Sequence, residues 1–159
     1  MKNDMLCLIK SHSFYELVKK YSVKEISQSL SFRDGLRLSY KLLYNEKWDA
    51  DLQDWSINLL KEIRSMYPDD WKDSWKYDAW LGTACYVGYK HEERYEAYKK
   101  AFDMAKDPPP KLLIEMARCS VCPGLPPISY DQAIDLIMRG LKEASYTDGI
   151  GLLCIIYSL

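Results

Sequence analysis

Apolar residues in this chain return every three or four positions, and β-branched residues nowhere alternate with polar ones over a useful length. That spacing lines apolar side chains along one face of a helix and gives no strand a buried face, so helices are the only regular element it supports. Phe14, Leu17, Val18 and Tyr21 make one such face, Leu36, Leu38, Leu42 and Leu43 a second, and Trp55, Leu59, Leu60 and Ile63 a third. Glycine and proline, seven of each, gather mostly between these stretches, where they mark breaks. The expected fold class is all-α. Short links between successive helices favour antiparallel neighbours, hence antiparallel helix pairs.

Ser13 with Glu16, Ser22 with Glu25, and Ser31 with Asp34 each have the form of a helix start. Three starts nine residues apart leave no room for three long helices, so at least one is expected at a kink or short linker. A longer helix is predicted from Asp51 to Met66. Pro68-Asp69-Asp70 ends it, and the two acids suit the first turn of a following helix, read as Asp70 to Tyr89. After a turn near His91 the pattern resumes through Tyr95, Tyr98, Phe102 and Ala105, and Pro110 suits the first position of a helix reaching Cys119. Residues 123–127 form a loop, and Ser129 caps a helix carrying Ala133, Ile134, Ile137 and Leu141. Asp148 to Leu159 is nearly all apolar and must pack in a core or against a partner. The total is eight or nine helices. The 159 residues are read as one domain: N-terminal helices over 1–44, helix pairs over 45–145, and an apolar terminal helix over 146–159.

A weak internal repeat runs through the middle. Tyr98, Phe102, Ala105 and Pro110 align with Ala133, Ile137, Gly140 and Ser145 at an offset of 35 residues. The same frame moved 42 residues upstream falls on Ser56, Leu60, Ile63 and Pro68. This resembles the tetratricopeptide repeat, whose second helix carries small and aromatic residues at those intervals before a proline. The resemblance covers residues 40–145. Tyr86 and Tyr89 fit two first-helix positions of the middle unit, while Trp80-Leu81-Gly82 is spaced more tightly than that family's Trp and Leu-Gly. The resemblance implies a short α-solenoid, with an irregular helical bundle as the other architecture. It also implies a concave face that binds a segment of another protein.

Charge adds a location. The chain is nearly balanced, 22 Lys and Arg against 23 Asp and Glu, which argues for neither a nucleic acid nor a membrane as a global partner. Residues 1–44 carry eight bases and four acids, whereas residues 45–78 carry five bases and nine acids. All five tryptophans lie between Trp48 and Trp80, so the acidic stretch is also the tryptophan stretch. At 100° per residue, Tyr77, Trp80, Leu81, Ala84 and Cys85 share a core-facing side, with Trp71 and Trp75 well off it. Those two tryptophans either pack on a preceding helix or present an aromatic surface ringed by carboxylates. On the second reading the partner-binding residues are Trp71, Trp75, Asp70, Asp73, Asp78, Trp55, Asp51 and Asp54, and the partner is a basic protein. An immunity protein that neutralises a bacterial toxin is one such module, and a chaperone or structural subunit is another. No cofactor is implied.

The remaining motifs are weaker. Five scattered cysteines suggest reduced thiols and a cytoplasmic protein, and Met5 to Ile9 is too short an apolar run for a secretory signal. Cys119-Ser120-Val121-Cys122 lacks a second ligand pair for zinc, and it falls at a helix end, where a thiolate gains nothing from the helix dipole. Residues 22–41 have the outline of a helix-turn-helix, the alternative being a DNA-binding regulator. Its reading segment, Arg33 to Lys41, however, contains Gly35 and places Asp34 towards phosphate, and the turn lacks glycine. No glycine-rich phosphate loop, HExxH or paired histidine and carboxylate suggests an enzyme.

Overall fold

The computed structural model describes residues 2–143 and 147–158. These hold eleven α-helices and one 3-10 turn, with no strand among the described residues. The helices are α1 (Lys2–Lys10), α2 (Phe14–Lys20), α3 (Val23–Ser29), α4 (Phe32–Leu43), α5 (Ala50–Met66), α6 (Pro68–Lys72), α7 (Trp75–Val87), α8 (His91–Met104), α9 (Pro110–Ala117), α10 (Tyr130–Glu143) and α11 (Thr147–Ile156). The all-α reading holds. None of these helices is long and apolar enough to cross a membrane.

All three closely spaced start signals open helices, contrary to the expectation that one would lie at a kink. Two of the helices stop after seven residues, which is how three fit. Their caps differ. Ser22 and Glu25 form a reciprocal capping box, and the Ser31 hydroxyl accepts from the Asp34 N–H. Ser13 makes no side-chain cap; its hydroxyl pairs with Ser11 instead. The helix read as Asp70 to Tyr89 is two helices, α6 and α7, separated at Asp73 and Ser74. Helix α1 had no apolar periodicity strong enough to announce it. It is held through Asp4, which accepts from Lys20 and from the Tyr21 hydroxyl, both at 2.6 Å, while Met5 is fully buried.

The chain divides into two compact units, residues 1–74 and 75–159. In the first, α5 is the central element, and α2, α3 and α4 pack against it. Helix α4 buries Gly35, Leu38, Ser39, Leu42 and Leu43, a single stripe at helical spacing. Small residues let the α4 and α5 backbones approach: the Ser56 hydroxyl donates to the Ser39 carbonyl at 2.7 Å, and Gly35 faces Ile63. A Cβ on Gly35 would lie 2.6 Å from Ile63 Cδ1, the free end of a flexible side chain. Gly35→Ala is therefore expected to change stability by less than about 1 kcal/mol, because the helix-propensity gain offsets the repacking. A urea midpoint far below the parent's would show that Ile63 has no room to turn.

The second unit is built from two tight pairs, α7 with α8 and α9 with α10. Tyr98, Ala101, Ala105, Leu112, Met116 and Cys119 form one buried cluster. Ala117, Ile128, Ala133, Ile137, Leu152 and Ile156 form another, which is where the apolar terminal helix α11 spends its apolar face. The repeat frame maps onto α5, α8 and α10, where Ser56, Leu60, Ile63, Tyr98, Ala105, Ala133, Ile137 and Gly140 are buried. Ser145 and Leu159 lie outside the described residues.

Candidate functional site

The side of α4 opposite its buried stripe carries Arg33, Arg37, Tyr40, Lys41 and, at the C-cap, Tyr44, all exposed. Tyr40 and Tyr44 are one helical turn apart and their rings meet at 5.0 Å. Trp48 extends the row, edge-on to Tyr44 at 6.0 Å, with 63% of its surface open to solvent. Large aromatics are normally spent on cores, so three in an exposed row call for an explanation that packing does not supply.

The turn that displays Trp48 is braced. Asn45 is buried, and its amide nitrogen donates to the carbonyls of Leu42 and Asp49 while its oxygen accepts from the Asp49 N–H. Asp49 in turn caps α5 by accepting from the Leu52 N–H at 3.0 Å, and it accepts from the Tyr15 hydroxyl at 2.8 Å. These donors, the Leu52 amide first, hold the Asp49 carboxyl below its ordinary range, and the same carboxylate raises the Tyr15 hydroxyl. Within this brace Trp48 adopts φ 51°, the left-handed region that costs a bulky L-residue roughly 1 kcal/mol. His12 is in the same region at φ 57°, stacked on Phe14. Strain of this kind persists only where its surroundings impose it, and it clusters at binding sites.

Beside His12 lies an open hollow of about 410 Å³, walled by Tyr15, Tyr40, Tyr44 and Phe14. Its polar rim is cationic: the Lys41 ammonium donates to His12 Nε2 at 3.1 Å, and the Lys47 ammonium lies 5.6 Å from the Tyr15 ring centre. A second hollow, about 450 Å³, continues on the other side of Tyr40 and Lys41, between α1 and α4. Its floor is aliphatic, from Leu6, Ile9, Leu30 and Leu38. Tyr40 and Lys41 line both. The two hollows therefore make one groove along the exposed side of α4.

None of the eight predicted partner-binding residues lines this groove. Trp71 is 2% exposed and takes the core alternative, with the Arg64 guanidinium 5.8 Å from its ring. Asp78 is equally buried. Both are corrections to the surface reading: the break at residues 73 and 74 changes the phase from which the outward position of Trp71 is read, while Asp78 lies on α7 three residues before the buried Leu81 and shares its face. Asp70, Asp73 and Asp51 are exposed, while Asp54 and Trp55 are half-buried on α5. Trp75 is half-buried in the second unit, packed against the Tyr98 cluster. The acidic-aromatic stretch is thus distributed over α5, α6 and α7. The groove residues were missed because tyrosines at positions i and i+4 beside basic residues read as an ordinary solvated face; the available signal was that both fall opposite the leucine stripe.

The second unit holds a buried charge cluster. Arg94 is 2% exposed, its guanidinium stacks 4.4 Å from the Tyr86 ring, and its Nη1 donates to Cys122 Sγ at 3.6 Å. Glu115 lies 4.0 Å from Arg94 and 3.6 Å from Arg118, and it accepts from the Tyr98 hydroxyl at 3.5 Å. Cys119 and Cys122 are both free thiols in the expected helix-to-loop corner, and burial pushes Cys119 up to about 12. A thiol so protonated is a poor nucleophile. No group of three His, Cys, Asp or Glu residues that could hold a metal occurs among the described residues.

No family model, curated protein or solved structure matches the chain.

Proposed function

We propose that the chain is a protein-binding module whose contact surface is the exposed aromatic row Tyr40, Tyr44 and Trp48. The observation that carries this reading is Trp48 itself, 63% exposed yet fixed in a strained conformation by the Asn45 and Asp49 brace. Tyr and Trp dominate binding hot spots because they bring large apolar area at low entropic cost, and pre-organisation lowers that cost further. The acidic stretch supports a basic partner less well, since Trp71 and Asp78 are buried. DNA reading by α4 also has little support. A recognition helix must project into a groove, whereas α4 shares its exposed side with α1 across an apolar hollow.

A photo-reactive side chain in place of Tyr44, in the cells from which the chain comes, tests the reading. The expected result is a discrete protein adduct that Trp48→Ala abolishes while the circular dichroism spectrum stays the same. Adducts to nucleic acid alone, or none, would remove the basis for a protein-binding role.

A further inference from the structure

Resting on that reading, we propose that the groove along α4 receives an acidic amphipathic helix of the partner protein, its apolar face on Leu6 and Ile9 and its carboxylates on the lysine rim. Charge decides the sign. The residues lining the two hollows include four full cations, Lys10, Arg37, Lys41 and Lys47, against two carboxylates, Asp34 and Glu46. Asp34 and Arg37 pair at 3.4 Å and offset each other, which leaves Lys10, Lys41 and Lys47 against Glu46. The Lys41 ammonium, 3.1 Å from His12 Nε2, sits where the two hollows meet.

The floor decides the class of occupant. The half-buried side chains of Leu6 and Ile9, backed by the buried Leu30 and Leu38, offer an aliphatic surface that suits leucine-like side chains at helical spacing, the mode in which an amphipathic helix lies in a groove. A nucleic acid strand would bring phosphates to the rim but nothing to fill that floor, and stacking on Tyr40 and Tyr44 would serve only one end. Length is consistent too: the twelve residues of α4 extend roughly 18 Å, which matches about three turns of a partner helix.

The test uses the full chain and three fluorescent probes: a designed amphipathic peptide of about 12 residues with leucines on one face and glutamates on the other, its analogue with lysines for glutamates, and a single-stranded oligodeoxynucleotide. Anisotropy should show saturable binding of the glutamate peptide and little of the other two. Lys41→Glu should weaken it about tenfold or more, and Lys41→Gln less. Tyr40→Ala should weaken it at any salt concentration, because it lines both hollows. Tighter binding of the lysine peptide, or no binding of any probe, overturns the acidic-helix assignment and leaves the protein-binding role to the cross-linking result. Binding of the oligonucleotide alone, lost in Lys41→Glu, overturns both.

Discussion

Replacing Arg94 with alanine is expected to destabilise the second unit by about 3 kcal/mol or more, among the largest losses a single change to the chain can produce. The side chain is 2% exposed, and its charge is compensated by Glu115 at 4.0 Å and by the face of Tyr86 at 4.4 Å. Removing it leaves Glu115 with Arg118 and the Tyr98 hydroxyl, empties the volume beside Tyr86, and deprives Cys122 of its donor. Burying an ion pair stabilises a fold weakly, but removing one member exposes the full desolvation cost of the other. Arg94→Met separates the two contributions, since it keeps most of the volume and discards the charge. It should be milder than alanine, and adding Glu115→Gln should recover part of its loss, because the carboxylate left behind is then neutral. Hydrogen exchange of α8 and α9 amides in urea reads the effect within this unit. Exchange in Arg94→Ala as slow as in the parent would mean that the guanidinium is solvated at no cost, contrary to its burial.

Legibility in the sequence followed periodicity. Where apolar residues recur over three turns, as in α5, α8 and α10, the helices appear where the spacing puts them, and the repeat frame marks buried positions on all three. Short helices were harder. Seven-residue α2 buries only Leu17 and α3 only Ile26 and Ser27, so in α3 the capping box carries as much of the signal as the apolar pattern does. The break between α6 and α7 has neither glycine nor proline; Asp73 and Ser74 look like helix-compatible residues, and the split alters the outward phase of every residue read across it. The groove was invisible for a different reason. Its residues come from α1, α2, α4, α5 and the turns between helices, and the feature that singles out the neighbouring Trp48, a left-handed backbone held by Asn45, has no sequence signature. Arg94 illustrates the same limit: in His91-Glu92-Glu93-Arg94 it reads as one more charge on a helical surface, and only the approach of Tyr86 and Glu115 gives it a core position.

Tyr98→Ala should cost about 3–5 kcal/mol, the range for deleting a buried aromatic, and it should reverse the sign of a second substitution, Gly82→Ala. The Tyr98 ring is 1% exposed between α7 and α8, and its hydroxyl pairs with Thr83 at 3.1 Å. A Cβ on Gly82 would fall 2.7 to 2.9 Å from three atoms of that ring. Unlike Ile63 opposite Gly35, the ring is rigid and enclosed, so it cannot turn aside. In the parent chain Gly82→Ala should therefore destabilise, because overpacking costs about 1–3 kcal/mol while the gain in helix propensity is about 1. Once Tyr98 is alanine the obstruction is gone, and only the propensity gain and a small filling of the cavity remain. Gly82→Ala should then stabilise by up to about 1 kcal/mol. The four proteins form a double-mutant cycle whose coupling exceeds 1 kcal/mol if the close approach of α7 and α8 depends on this one contact. Equal effects of Gly82→Ala in both backgrounds would mean instead that the glycine serves the α7 backbone, and that the tightest helix pair in the unit is held by the alanines around Tyr98.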